Sequence, residues 1–169
     1  LDEAEPHLVR AKQLLPGSAD VCSDLGTLCR LRGLRQDAER YYCRALLLDP
    51  NHSDALQNFG TLLLDSNRPQ QAVPILERLA AVSAGNSTSH RLLGDAYYKT
   101  DRDDEAIESF LCAIELNPND RRARLNLGEA YEARGAFQQA RAHYVHIVRH
   151  HESSPLALAR LLQLRDAQP

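Results

Sequence analysis

The stretch HRLLGDAYYKTDRDDEAIESFLCAIELNP, running from His90 to Pro118, decides the fold. His90, Leu93, Gly94 and Tyr97 stand at i, i+3, i+4 and i+7, one face of a helix. Ala106 and Phe110 begin a second stripe, and Asn117-Pro118 ends it. The same frame recurs around Gly26, Gly60 and Gly128, so four glycines are spaced 34 residues apart. Leu25, Phe59, Leu93 and Leu127 put a bulky apolar residue before each. A fixed period of this length marks a solenoid, in which one helix-turn-helix unit repeats and stacks on its neighbours. A glycine inside a helix costs about 1 kcal/mol relative to alanine. Its recurrence implies a gain, namely close approach of the second helix, with the small Ala38 and Ala45 on the facing surface and Tyr42 and Leu25 filling the space beside them.

The spacing resembles the tetratricopeptide repeat, W-x2-L-G-x2-Y…A-x3-F…P, whose period is also 34. The first unit has Leu25-Gly26, Ala38, Tyr42 and Pro50, with Cys22 and Cys29 in the aromatic places. The second has Leu56, Phe59-Gly60, Leu63, Ala72 and Leu76, with Ala84 where proline belongs. The third matches closely apart from His90, and the fourth has Arg124, Leu127-Gly128, Tyr131, Ala140, Tyr144 and Glu152. The resemblance covers essentially the whole chain. It implies an all-α solenoid of antiparallel helix pairs forming a right-handed superhelix. The expected division is a second helix of an incomplete repeat over 1–18, repeats over 19–52, 53–86, 87–120 and 121–154, and a capping helix over 155–169. That makes ten helices. Leu162 takes the glycine's place in the last, and Arg160, Gln163 and Arg165 give it a partly polar face.

The second unit is the irregular one. Leu79 replaces a small residue, Pro74 lies near the start of the second helix, and Ser83 to Ser89 replace the compact proline stop. The joint between the second and third units is therefore expected to be the least protected.

Composition narrows the function. A net charge of −3 with no basic tail argues against a dedicated nucleic-acid binder. Pentatricopeptide repeats, which bind RNA with nearly the same period, are disfavoured by that charge and by the recurring glycine. No apolar run approaches the roughly 18 residues of a membrane span. Cys22 and Cys29 lie about 10 Å apart along one helix, too far for a disulfide. All four cysteines read as reduced small hydrophobes in a reducing, cytoplasmic setting. The chain begins at Leu1 and has no methionine, so it reads as a piece of a longer protein.

No catalytic signature occurs: there is no GxSxG, HExxH or phosphate loop, so no catalysis and no cofactor are expected. His143, His146 and His150 share a helix face, with His151 beside them. The reading is a solvated outer stripe, with metal binding as the alternative. The acid run Asp101 to Glu105 suits a helix N-terminus, with a partner site as the alternative. The third unit carries three basic and eight acidic residues, the fourth six basic and three acidic. That asymmetry could steer a partner or link neighbouring units. Asn51-His52-Ser53 and Asn86-Ser87-Thr88 are sequons, relevant only to a secreted protein.

In the family resembled, the first helix of each pair lines a concave groove that holds a protein or peptide. Counting from the glycine, the groove residues expected here include Asp24, Thr27, Asn58, Thr61, Arg91, Asp95, Tyr98, Arg122, Asn126 and Glu129. Ser23, Leu92 and Leu125 fall in the same set, and Tyr98 supplies an aromatic anchor. The two-asparagine carboxylate clamp of chaperone-binding members is absent: only Asn58 matches it. Asn58 and Asn126 stand two residues before the glycine, a place that resembles the asparagine ladder of O-linked N-acetylglucosamine transferases; Asp24 and Leu92 depart from it. Ordinary polar lining is the alternative. The expected function is a non-catalytic interaction scaffold for a protein or peptide. The alternative is the substrate-recognition region of a larger glycosyltransferase or sulfotransferase. End-to-end self-association through the unpaired helix at residues 1–15 is a further expectation.

Overall fold

The computed structural model describes residues 17–150 and 154–166, together with Arg10. Most of the helix expected over 1–18 (residues 1–9 and 11–16), His151 and Glu152 lie outside the described residues. Nine helices and no strands occur among the described residues. They are α1 (Ala19–Leu31), α2 (Arg35–Leu48), α3 (Ser53–Asp65), α4 (Pro69–Val82), α5 (Ser87–Tyr98), α6 (Asp103–Leu116), α7 (Arg121–Ala133), α8 (Phe137–His150) and α9 (Pro155–Asp166). The odd-numbered helices start at regular 34-residue intervals, from Ala19 to Pro155. The chain divides into two compact units between Ser83 and Ala84. The first holds α1 to α4 and the second α5 to α9.

Each odd-numbered helix up to α7 begins at a polar cap. The side chains of Ser18, His52, Asn86 and Asp120 accept main-chain N–H groups that have no partner inside the helix. Just beyond each helix end, seven residues after the mid-helix glycine, stands a residue of positive φ: Gly33 (76°), Asn67 (55°), Asp101 (58°) and Gly135 (72°). There the next N–H turns back to a carbonyl five residues earlier, as from Leu34 to Cys29 (2.9 Å) and from Ala136 to Tyr131 (2.8 Å). This is the hydrogen bond of a Schellman stop. Asn67 and Asp101 tolerate the left-handed conformation because their side chains are short and polar. Asp101 thus belongs to the turn, while Asp103, Asp104 and Glu105 occupy the first turn of α6, where carboxylates oppose the helix dipole.

Every helix pair is built around its glycine. A Cβ placed on Gly26 would lie 2.6 Å from Tyr42 Cε1, and one on Gly60 would lie 2.4 Å from Leu76 Cδ2. On Gly94 it would meet Phe110 Cε1 at 2.5 Å, and on Gly128 Tyr144 Cε1 at 2.4 Å. The large residue of the second helix is therefore seated in the space a side chain would need. Tyr42, Leu76, Phe110 and Tyr144 are fully buried, each a contribution of about 1.5–3 kcal/mol. They are flanked by the buried pairs Ala38 and Ala45, Ala72 and Leu79, Ala106 and Ala113, and Ala140 and Ile147. Leu79 and Ile147 show that the later flanking place need not be small.

Pro74 is the sixth residue of α4, past the free donors of the first turn, so it removes one internal hydrogen bond, that to the Gln70 carbonyl. The outer side of the last helix is mixed, with Gln163 exposed. Ala157 is buried with Ala140, Tyr144 and Ile147, and Leu161 and Leu164 pack on them, but Leu156, Leu158 and Leu162 are exposed. Leucine at the glycine's place cannot form the recess, so its side chain stays outside.

Two measurements check this account. Gly94→Leu should lower the free energy of unfolding by at least about 1–3 kcal/mol in urea, because the added side chain overlaps the Phe110 ring. In hydrogen exchange, amides over 83–89 should exchange faster than those in the middle of α4 and α5; uniform protection would remove the joint as a weak point.

Candidate functional site

The faces of the odd-numbered helices not used for pairing carry most of the expected groove residues. In the first unit, the Thr27 hydroxyl lies 3.3 Å from the Tyr42 hydroxyl and 3.1 Å from the Ser23 carbonyl, to which it donates. Asn58 Nδ2 donates to Thr27 Oγ1 at 3.3 Å. Thr61 donates to the Gln57 carbonyl of its own helix at 2.8 Å. Asp24 is exposed, and partial burial, with Asp20 and Asp54 nearby, raises its pKa above the ordinary aspartate value. Asp20 also meets His52, Nε2 to Oδ1 at 2.9 Å. The His52 Nδ1 accepts the Ala55 N–H as helix cap, so Nε2 carries the proton that Asp20 receives.

The second unit is more heavily charged. Arg91 reaches Asp95 (Nη1 to Oδ2, 3.3 Å) and Asp120 (Nε to Oδ2, 3.6 Å). Asn126 Nδ2 donates to Asp95 Oδ1. Ser87 donates to Asp120 Oδ2 at 3.3 Å, and Asp120 Oδ1 accepts the Ala123 N–H at 3.0 Å. Further along, Arg160 joins Glu129 (3.0 Å) and Glu132 (3.5 Å). Tyr98 is half-buried; burial and the carboxylates of Glu129, Asp103 and Glu132 hold its hydroxyl pKa above the usual tyrosine range. Arg122 is exposed.

A rule emerges from these contacts. After three of the four repeating glycines, the next residue meets the residue 31 positions later, which stands two before the next glycine's place. Thr27 pairs with Asn58, Asp95 with Asn126 and Glu129 with Arg160. Asn58 and Asn126 therefore brace one helix pair against the next. Each keeps its amide oxygen and a second N–H for other contacts. Leu92 occupies the same place with no hydrogen-bonding group and is buried, as is Ser23, so neither lines a groove. Sequence reading missed His52 and Asp120 as partners of Asp20 and Arg91, and Arg160 as part of the face. Their signal is a separation close to one period.

The histidine stripe also departs from expectation. His143 is half-buried and stacks on Tyr131, with ring centroids 5.6 Å apart and planes inclined by 13°. It borders the α7–α8 seam because it precedes the buried Tyr144. Burial, with Arg124 and His146 adding to it, depresses its pKa below the ordinary histidine value. The His146 and His150 rings are tilted by 39°, with centroids 4.4 Å apart. Among the described residues, no group of three or more His, Cys, Asp or Glu is placed to hold a metal ion. Cys22 is buried, Cys29 half-buried, and Cys43 and Cys112 are exposed; all four are free thiols. No helix among the described residues is long and apolar enough to cross a membrane.

Comparison with known proteins agrees with the fold. The sequence profile described as TPR repeat matches residues 94–135, and that described as Tetratricopeptide repeat matches 63–110. The chain belongs to the tetratricopeptide repeat family. It is 33% identical over 117 residues to human Tetratricopeptide repeat protein 7B, covering 68% of this chain and 14% of that protein. It is 30% identical over 120 residues to the Drosophila melanogaster Protein O-mannosyl-transferase Tmtc3, covering 70% and 13%. The chain thus spans about one seventh of the length of these relatives. Among solved structures it resembles YrrB, described as a TPR protein with an unusual peptide-binding site. There the identity is 19%, the TM-score 0.83, and the coverage 94% of this chain and 82% of that one.

The braces make a graded prediction. Asn126→Ala removes a bond to a carboxylate and should cost about 1.5–3 kcal/mol, whereas Asn58→Ala removes a bond between neutral groups and should cost about 0.5–1.5 kcal/mol. Equilibrium unfolding of the two variants checks the order.

Proposed function

We propose that this chain is a non-catalytic scaffold that binds a peptide or a partner protein on the faces of its odd-numbered helices. The observation that carries the reading is where polar chemistry lies. The paired faces are apolar and closed, while Asp24, Thr27, Asn58 and Thr61 in the first unit have side chains at least partly open to solvent. So do Arg91, Asp95, Tyr98, Arg122, Asn126 and Glu129 in the second. The reading frames repeats over 19–52, 53–86, 87–120 and 121–154, with α9 after them. Likeness in fold to a protein described by its peptide-binding site supports it.

Spare hydrogen-bonding capacity on Asn58 and Asn126 suits an extended main chain, and Tyr98 offers a flat apolar surface beside Glu129. A second reading is favoured by the likeness to an O-mannosyl-transferase: the repeats would then hold the acceptor polypeptide of a larger enzyme. In that case the chain alone would retain the acceptor without modifying it.

The test is capture of partners by the immobilised chain, competed with peptides from the captured protein. Tyr98→Ala should weaken capture by roughly fivefold or more with an unchanged urea midpoint. Arg141→Ala, on an exposed part of α8, should leave it unaltered. Equal capture by the Tyr98 variant and the parent would remove this face from the function.

A further inference from the structure

The charges between α5 and α7 do not balance. One guanidinium, that of Arg91, is shared by two carboxylates, Asp95 and Asp120, and all three side chains are at least four-fifths buried. Asp120 is well supplied with donors: the Ala123 N–H, the Ser87 hydroxyl and Arg91 Nε. Asp95 has Arg91 Nη1 and Asn126 Nδ2. A buried site holding one cation and two anions favours proton uptake, and the carboxylate with fewer donors is the one that takes it.

We propose that the α5–α7 seam is a proton-responsive clasp, in which Asp95 gains a proton as the pH falls and the seam closes more tightly.

The protonated carboxyl still accepts from Asn126 through its carbonyl oxygen, so the brace survives. Arg91 is then left to Asp120 alone, and charge is balanced. The charged groups acting on Asp95 are Arg91 and Lys99 from α5, and Asp120 from the turn before α7; Asn126 adds its hydrogen bond from α7. Loss of hydration outweighs the attraction of Arg91, the Asn126 bond and Lys99, and Asp120 adds repulsion, so the Asp95 pKa is raised to about 6. A carboxyl whose folded pKa exceeds its unfolded value stabilises the fold most at low pH. That contribution is lost as the pH rises through about 6.

The clasp bears on the proposed partner face without depending on it, because Asp95 would surrender its negative charge there whether or not a partner binds. The experiment therefore uses the chain alone. Carboxyl NMR should place the Asp95 midpoint near 6. Hydrogen exchange, corrected for intrinsic rate, should show opening of α5 and α7 falling about tenfold between pH 7.5 and 5. Asp95→Asn, neutral and close in shape, should abolish that pH dependence and keep the low-pH protection at pH 7.5. Arg91→Gln should raise the Asp95 midpoint further. An Asp95 midpoint at or below 4, a proton taken by Asp120 instead, or unchanged pH dependence in Asp95→Asn would overturn the proposal. If Arg91→Gln does not fold, the parent titration and Asp95→Asn still decide the matter.

Discussion

The structure rests on a side chain seated where another is missing. In each pair, a tyrosine, leucine or phenylalanine of the second helix occupies the volume that a Cβ on the facing glycine would need. The glycine's cost in helix propensity is about 1 kcal/mol, and the burial of the large residue offsets it. The contact also fixes register. A helix that slid or rotated would drive the large residue against backbone, so everything else on the two helices is placed by this one contact. The recess is generic in shape, accepting an aromatic ring at Tyr42, Phe110 and Tyr144 and an aliphatic chain at Leu76. At Leu162 there is no recess and the side chain is exposed, while α9 packs on α8 through Ala157, Leu161 and Leu164.

Fixing the pair leaves the question of how one pair attaches to the next. Here hydrogen bonds and charge contribute alongside apolar burial. Within each unit, the position after the glycine and the position two before the next one are brought together, and the chemistry differs from joint to joint. It is a neutral bond at Thr27 and Asn58, an amide to a carboxylate at Asp95 and Asn126, and an ion pair at Glu129 and Arg160. The identity of these pairs is free to vary because they lie at the margin of the core, where solvent supplies what the partner does not. That freedom lets the same face serve packing and recognition.

Most of the fold is legible in the sequence because the period is rigid: 34 residues between glycines set the helix starts, and the stripes around Gly26 or Gly94 name the buried residues. The candidate face is legible only as positions. Thr27, Asn58, Asp95 and Asn126 could be counted out to one side of the helix. Counting along one helix could not show that they would meet each other, since the partner stands 31 residues away on another. The roles of Asp101 and Asn67 were hidden for a similar reason. A left-handed turn asks for glycine, and an aspartate or asparagine in its place reads as ordinary polar sequence. On the last helix Arg160 reads as a solvated charge, when its guanidinium spans Glu129 and Glu132.

The recess has a spectroscopic consequence. The chain contains six tyrosines, three phenylalanines and no tryptophan, so tyrosine dominates the long-wavelength part of its near-ultraviolet signal. Tyr42 and Tyr144 are both locked in glycine recesses, held asymmetrically against a helix backbone, while Tyr98 stands at the edge of the candidate face. The rings that report on closure of the helix pairs are thus chemically the same as the ring that a partner would touch. The Tyr42 hydroxyl is linked through Thr27, by two hydrogen bonds, to Asn58 of the candidate face in the first unit. Near-ultraviolet circular dichroism therefore carries the state of the core and the occupancy of the surface in a single label-free band.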